Sequence, residues 1–354
     1  MSAPARTWLS GLSEWLPPTS VPVAQAVAEA RLEPAEAAAT GYAALPVSHD
    51  LAAPEMAVRA ARDGLARAGF AAADIGFLAH AWTYHQGHDF WSPAHYIAAR
   101  IGADGANPVG VQQMCNGGAA ALELATRWVG AAEAGTALVT TADRFAEPGF
   151  DRWRGDYGLW YGDGAAAVLV GRGTDGSSAD LELLALASRA EPAAEEMHRG
   201  ADPFSAAPLG RVDVRRTKKA YLSRHGRTRF AEITAVRVPE VVRAALLAAE
   251  VDAGDPRLRC VLLPRLGERA LGEAYHPALR AVFTDLPALD LGADTGHLGA
   301  GDLLSNLVAL ARPGALAAGE LAAVLSAGGG FTWSCAIVRK PAPADHEREN
   351  HHVR

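Results

Sequence analysis

The chain has 354 residues, 49% of them hydrophobic, and a formal net charge of -7. That apolar content supplies a core and excludes disorder for the bulk of the chain. The acidic balance excludes nucleic acid as a main partner, and no apolar run reaches the roughly 18 residues of a membrane span. The opening segment MSAPARTWLSGLSEWLPPTS lacks the continuous apolar stretch of a secretory signal. Cys115, Cys260 and Cys335 are too scattered for a disulfide framework or a zinc site. A cytoplasmic protein without a metal is the expectation.

In chain order, the pattern predicts a helix over 54–69 (PEMAVRAARDGLARAG) and a strand over 76–82 (GFLAHAW). A helix over 119–132 follows, then strands over 136–142 and 165–171. Later come a helix over 239–250, starting at Pro239, a strand over 260–264, a helix over 302–314 and strands over 321–327 and 334–340. Buried strands alternating with helices point to an α/β fold with parallel sheet. The turn-rich GRGTDGSSAD (171–180) is the expected boundary, dividing the chain into halves 1–175 and 176–354. The polar tail from Pro341 is expected to fray.

The halves echo one another. Around Cys115 the chain reads strand-like NPVGVQQMC, then NGG, a helix and the strand TALVTTA. Around His297 it reads strand-like ALDLGADTGH, then LGAGD, a helix and the strand LAAVLSA. Each unit sets one polar reactive residue in a glycine-flanked turn ahead of an apolar helix.

Cys115 stands just before Asn116-Gly117-Gly118 and that helix. Unpaired N–H groups and the positive dipole end there favour a thiolate and can hold an oxyanion. The competing reading is a small core cysteine; Cys260 and Cys335, inside apolar strand patterns, are assigned to the core. His297 lies in a glycine-rich turn with few side chains to bury it, so its imidazole is free to face a cleft and act as a base. Asp302, five residues on, is read either as the orienter of that imidazole or as a helix cap alone. Cys115, His297 and Asp302 together make a nucleophile–base–orienter set. Gly328-Gly329-Gly330 ends a buried strand, as an oxyanion donor or a hairpin turn, and Gly162-Asp163-Gly164 reads as a turn. His85, His88 and His95 sit among Trp82, Tyr84, Phe90 and Trp91 at spacings that fit no metal motif.

Several segments, in order, resemble the ketoacyl synthase III type of the thiolase superfamily. LWYGDGAAAVLV (159–170) is similar to its FGDGAGA strand entry, VQQMCNGGAAALELA (111–125) to its nucleophile segment, VPEVVRAALLAAEVD (238–252) to its penultimate helix and GGGFTWSCAIVR (328–339) to its C-terminal signature. The resemblance implies a five-layered αβαβα duplication of two similar halves, a homodimer and Cys115 as acyl acceptor. It implies an oxyanion hole from the Cys115 N–H and the Gly329–Gly330 loop. No permanent cofactor is implied; the substrate is an acyl-coenzyme A or an acyl-carrier-protein thioester on phosphopantetheine. Arg152, Trp153 and Arg154 fall where the family's coenzyme A contacts lie, although a solvated face reads equally well. Phe90 and Trp91 resemble the dimer-crossing loop that walls the acyl pocket. The basic stretch 215–229 is either a guide for a phosphopantetheine arm or a solvated surface.

The departures from the family pattern redirect the chemistry. A PHQAN-like segment carries the family's enolate-stabilising histidine; here it reads Pro264-Arg265-Leu266-Gly267-Glu268, with Arg265 in that place. A GNTSA-like segment carries its asparagine; here Gly296-His297-Leu298-Gly299-Ala300 places His297 there. A guanidinium stays charged and cannot replace a neutral imidazole. The resemblance then points to non-condensing acyltransferases of polyketide and antibiotic tailoring, of the cervimycin malonyltransferase type, which hand an acyl group to a hydroxyl of a polyketide or sugar. If that group is malonyl, as from malonyl-coenzyme A, its carboxylate needs a cation such as Arg265. A starter-unit condensing enzyme and an idle partner subunit stand as alternatives.

Overall fold

The structure is a computed structural model that describes residues 6–131, 135–173 and 179–342. The core of the expected boundary, at 174–178, and the tail beyond 342 lie outside the described residues.

The chain forms twelve strands among the described residues: β1 (Arg6–Trp15), β2 (Ser20–Pro22), β3 (Ala44–Pro46), β4 (Ile75–Ala81), β5 (Asn107–Val111), β6 (Thr136–Asp143), β7 (Gly164–Gly173), β8 (Leu181–Ala190), β9 (Leu258–Leu262), β10 (Ala288–Leu289), β11 (Leu321–Gly328) and β12 (Thr332–Arg339). All but β2 and β3 join one ten-stranded sheet in the order β10-β9-β11-β12-β8-β1-β7-β6-β4-β5. Read outward from the β1–β8 seam, the two wings are alike. β4 runs parallel to β5 and β6, and β7 is antiparallel to β6 and β1. β9 runs parallel to β10 and β11, and β12 is antiparallel to β11 and β8. The wings meet where Thr7, Trp8 and Leu9 pair with Leu183, Glu182 and Leu181.

Why the wings fold over one another follows from their sequence. Strands such as TALVTTA and LAAVLSA are apolar on both faces and need cover on both. The helices Gly117–Ala131 and Asp302–Ala311 fill the space between the wings, so Leu122 and Ala125 of one and Leu303, Leu304 and Leu307 of the other share a core with Val139, Val168, Leu262, Val324 and Ala336. The outer face of one wing is covered by Ala53–Ala68 and Pro93–Ile101, and that of the other by Arg229–Ala248. The result is five layers, αβαβα, with the two central helices inside.

The predicted elements between 54 and 142 match to within a residue or two. The helix expected to start at Pro239 starts instead at Arg229 and carries Pro239 in its interior. A proline fits the first turn of a helix without loss, so the sequence suggested a start there; the buried apolar face of the longer helix outweighs the missing hydrogen bond. The pattern gives no sign of β1, because Gly11, at φ 59°, sits beside a register shift between Ser10 and Ser13 that breaks the alternation.

Candidate active site

β5 ends at Val111 and the central helix begins at Gly117, so Cys115 sits in a tight turn between them. Met114 takes a positive φ of 50°, which holds local strain just before the thiol. The side-chain amide of Asn116 donates to Gln113 Oε1 at 2.8 Å and to Ser334 Oγ at 2.9 Å, which staples the turn to β12 of the other wing. The glycines that follow are there for approach: a Cβ on Gly118 would stand 2.5 Å from the Ala300 carbonyl oxygen. The loop that carries His297 therefore rests directly on the first turn of the helix behind Cys115.

On that loop, His297 is bonded into place through its backbone, donating to the Trp160 carbonyl at 2.9 Å and accepting from Gly162 N–H at 3.1 Å. Its ring is 1% exposed. Nδ1 meets Asp302 Oδ2 at 2.7 Å; because a carboxylate only accepts, Nδ1 carries the proton. Nε2 is buried and makes no well-formed hydrogen bond of its own. The Cys115 sulfur lies near enough to act on the charge of the ring. Asp302, itself 1% exposed, also accepts from Leu298 N–H and Arg265 N–H, each at 2.8 Å. Burial opposes charge on His297, but the negative charges of Asp302 and the Cys115 sulfur outweigh it and place the ring well above the usual histidine range. Burial likewise opposes the Asp302 carboxylate, and the His297 ring and Arg265 pull it back below its usual value. The arrangement brings an imidazole and its carboxylate partner together with a partly exposed thiol from a distant segment of the chain. Burial pushes the thiols of Cys260 and Cys335 up to about 11 and about 12, and both are core residues.

The donor contacts fall out differently. Arg152 is 8% exposed, donates to Asp163 Oδ2 and to the Tyr161 carbonyl at 3.0 Å each, and has no face left for a phosphate. Trp153 is buried edge-on against Trp160. Both expectations are corrected: a coenzyme A contact or a solvated face would leave these side chains open, but here a buried carboxylate captures the arginine and an aromatic cluster captures the indole. Arg154 remains exposed. The turn expected at Gly162–Gly164 hides that carboxylate, since Asp163 also accepts from Ser48 and Phe145 N–H at 2.8 Å. Arg265 is 4% exposed and gives Nε to Asn306 and one terminal nitrogen to Thr295, at 3.1 and 2.9 Å. Its first role is therefore to brace the Asp302 helix, not to wait open for a substrate. The basic stretch is largely neutralised, with Arg215 on Glu36, Arg216 on Asp202, Lys218 on Asp156 and Arg224 on Glu196. Gly329 and Gly330 form the turn of the β11–β12 hairpin, and Gly328 beside them leaves no room for a Cβ, which would lie 2.3 Å from Asn116 N. Phe90 and Trp91 project outward, with Phe90 fully exposed.

Sequence reasoning missed Asp143 and Tyr161. Asp143 ends β6 and is fully buried; burial pushes it up to about 7 against the pull of the Tyr84, Ala300 and Thr83 N–H groups. Tyr161 lies edge-on to the His297 ring, 5.2 Å between centroids, and its hydroxyl donates to Asp156 at 2.5 Å. An acidic residue closing a buried strand, as in TALVTTAD, is the one signal that could have marked Asp143, and it says nothing of the partners.

Residues 109–188 match the family model of 3-oxoacyl-[acyl-carrier-protein] synthase III. The beta-ketoacyl-[acyl-carrier-protein] synthase III of Rhodospirillum centenum is 26% identical over 287 residues, covering 80% of this chain and 83% of that protein. Among solved structures, the acyltransferase ChlB3 is 32% identical, covers 96% of this chain and 99% of its own, and superposes with a TM-score of 0.85. This chain is a ketoacyl synthase III-like enzyme with the thiolase-superfamily fold. The synthase III of Pseudomonas aeruginosa PAO1, at 24% identity over 95% of this chain and 99% of that one, shares that fold with a TM-score of 0.74. Ketoacyl synthase III-like enzymes take acyl-coenzyme A or acyl-carrier-protein thioesters and need no permanent cofactor. Among the described residues of this ketoacyl synthase III-like enzyme, no helix is long and apolar enough to cross a membrane.

Proposed function

We propose that this enzyme transfers an acyl group, through a Cys115 thioester, to a hydroxyl of a small acceptor without decarboxylative condensation. The observation that carries the proposal is the imidazole held through Nδ1 by Asp302 at 2.7 Å, with Nε2 buried and unpartnered and the Cys115 sulfur near enough to raise its pKa. In the first half-reaction the Cys115 sulfur attacks the thioester carbonyl, and N–H groups of Cys115 and of the Gly329–Gly330 turn receive the oxyanion. The C–S bond to coenzyme A or phosphopantetheine breaks, and the proton on His297 Nε2 goes to the departing sulfur. Acylation also removes the negative charge of Cys115, one of the causes that raise the His297 pKa. The ring is then neutral and a better base. In the second half-reaction it takes the proton of the acceptor hydroxyl, whose oxygen attacks the acyl carbon; the C–S bond breaks and Cys115 is restored. Oxyanion donors of this kind are each worth about 3–4 kcal/mol of barrier, and a general base roughly 10²–10⁴-fold.

Condensation is the second reading, favoured by relatives that are synthases. Against it stands Arg265, whose buried guanidinium occupies the place where the family resemblance puts a neutral histidine. In our reading the halves divide at 175/176, supported by the matching order of the two wings. The enzyme acts as a cytoplasmic homodimer whose Phe90–Trp91 loop completes the partner's acyl pocket, and Arg154 contacts the donor. The acyl group is malonyl and the acceptor a polyketide or sugar in antibiotic tailoring, the cervimycin malonyltransferase type of reaction. Arg265 then meets the malonyl carboxylate through its remaining nitrogen. Incubation with acetyl- and malonyl-coenzyme A, followed by intact mass and carbon dioxide release, tests this. A Cys115 adduct without carbon dioxide supports transfer, whereas carbon dioxide release decides for condensation.

A further inference from the structure

The carboxylate of Asp143 touches both loops that flank the reacting pair. Oδ1 accepts from Thr83 N–H at 2.8 Å and Tyr84 N–H at 2.7 Å. Oδ2 accepts from Thr83 N–H at 3.0 Å and, across the seam between the halves, from Ala300 N–H at 2.9 Å. On the first side, the Thr83 hydroxyl donates to Cys115 Sγ at 3.9 Å. On the second side, Ala300 follows His297 by three residues, and its carbonyl presses on Gly118, where a Cβ would stand 2.5 Å away. Between the two, Gly299 has φ 61° and passes so close to the carboxylate that a Cβ there would lie 2.3 Å from Oδ2. One strand-end side chain thus fixes the loop beside the sulfur and the loop beside the imidazole.

We infer that Asp143 is a positioning residue for acyl transfer, a clamp across the two halves that sets the alignment of Cys115 with His297. The inference rests on the Cys115–His297 reading above. In its ionised form Asp143 suits the task because it presents two acceptors and no donor. An amide has the same shape, but its NH2 must face either the Thr83–Tyr84 pair or Ala300, so one loop moves. A misplacement on the order of 1 Å in a site of this kind costs roughly 10²-fold in rate.

The test is Asp143→Asn in the full chain, measured for melting temperature, acyl-enzyme formation by intact mass and steady-state transfer. The expected result is a folded enzyme whose kcat falls by roughly 10²-fold while KM for the acyl thioester stays within about threefold. Ala300→Pro, which removes the donor on the His297 side and sets a ring carbon against Asp143 Oδ2 in its place, is expected to form the Cys115 acyl-enzyme at a near-normal rate and to pass the acyl group on more slowly. In the unmutated protein the amides of Thr83, Tyr84 and Ala300 exchange slowly and to a similar degree. Folded variants with kcat near wild type, or fast exchange at any of the three amides, overturn the inference. Full activity of Cys115→Ala overturns the underlying reading instead, so the two failures are distinguishable.

Discussion

The two central turns share a plan and differ in how tightly they hold their reactive group. Each follows a strand end and precedes a central helix, of 15 residues behind Cys115 and 10 behind His297. His297 is fixed by two backbone hydrogen bonds and a carboxylate, and that carboxylate is fixed in turn by two N–H groups. The Cys115 thiol, by contrast, accepts a weak hydrogen bond from the Thr83 hydroxyl at 3.9 Å, in a partly exposed turn. The contrast fits the covalent transfer proposed above. A nucleophile must be reached by donor and acceptor in succession, whereas a base must keep one tautomer and one direction through both steps.

The largest effect that breaks the contrast is at the exposed end: Cys115→Ala abolishes both acyl-enzyme and transfer, read by intact mass and product assay. His297→Ala comes next. It still takes an acyl group, but transfer slows by roughly 10²–10⁴-fold, so the acyl-enzyme accumulates. Asp302→Asn acts on the fixed end through titration. The Asp302 charge raises His297, so in wild type the rate of acyl transfer rises with pH through a limb that this charge pushes upward. Without that charge the limb moves to lower pH, and the plateau falls because the tautomer is no longer held; the pH–rate profile of single-turnover transfer reads both. Arg265→Ala sharpens the account of the acyl group: a loss confined to malonyl thioester supports the carboxylate contact, and an equal loss with acetyl assigns the residue to bracing alone. The smallest effect on chemistry is at Arg152→Met, which leaves Asp163 buried without its cation. Stability falls by about 3–5 kcal/mol in chemical denaturation, while the folded fraction is acylated at the normal rate.

The mirrored wings were legible because their strands are short apolar runs set between glycine-rich turns, and both reactive turns stood out because polar groups are rare there. The chain could not announce the contacts made across it. The resemblance put Arg152 and Trp153 at the coenzyme A contacts, with a solvated face as the alternative, but their partners, Asp163 and Trp160, belong to a segment whose pattern looks like a plain turn. Asp143 was hidden for the opposite reason: its four hydrogen bonds go to backbone N–H groups, which leave no mark in the identity of the residues that donate them. The lysines and arginines of 215–229 looked like a free patch because their acidic partners, Glu36, Asp156, Glu196 and Asp202, are scattered over the sequence.

The central claim is that Cys115 carries the acyl group and His297 releases it. The most direct measurement is the intact mass of His297→Ala after exposure to acyl-coenzyme A, with peptide mapping, before and after addition of a hydroxyl acceptor. The account predicts one acyl group on Cys115 that persists when the acceptor is added, while wild type clears it. An unmodified Cys115, or clearance by the variant as fast as by wild type, would contradict the account.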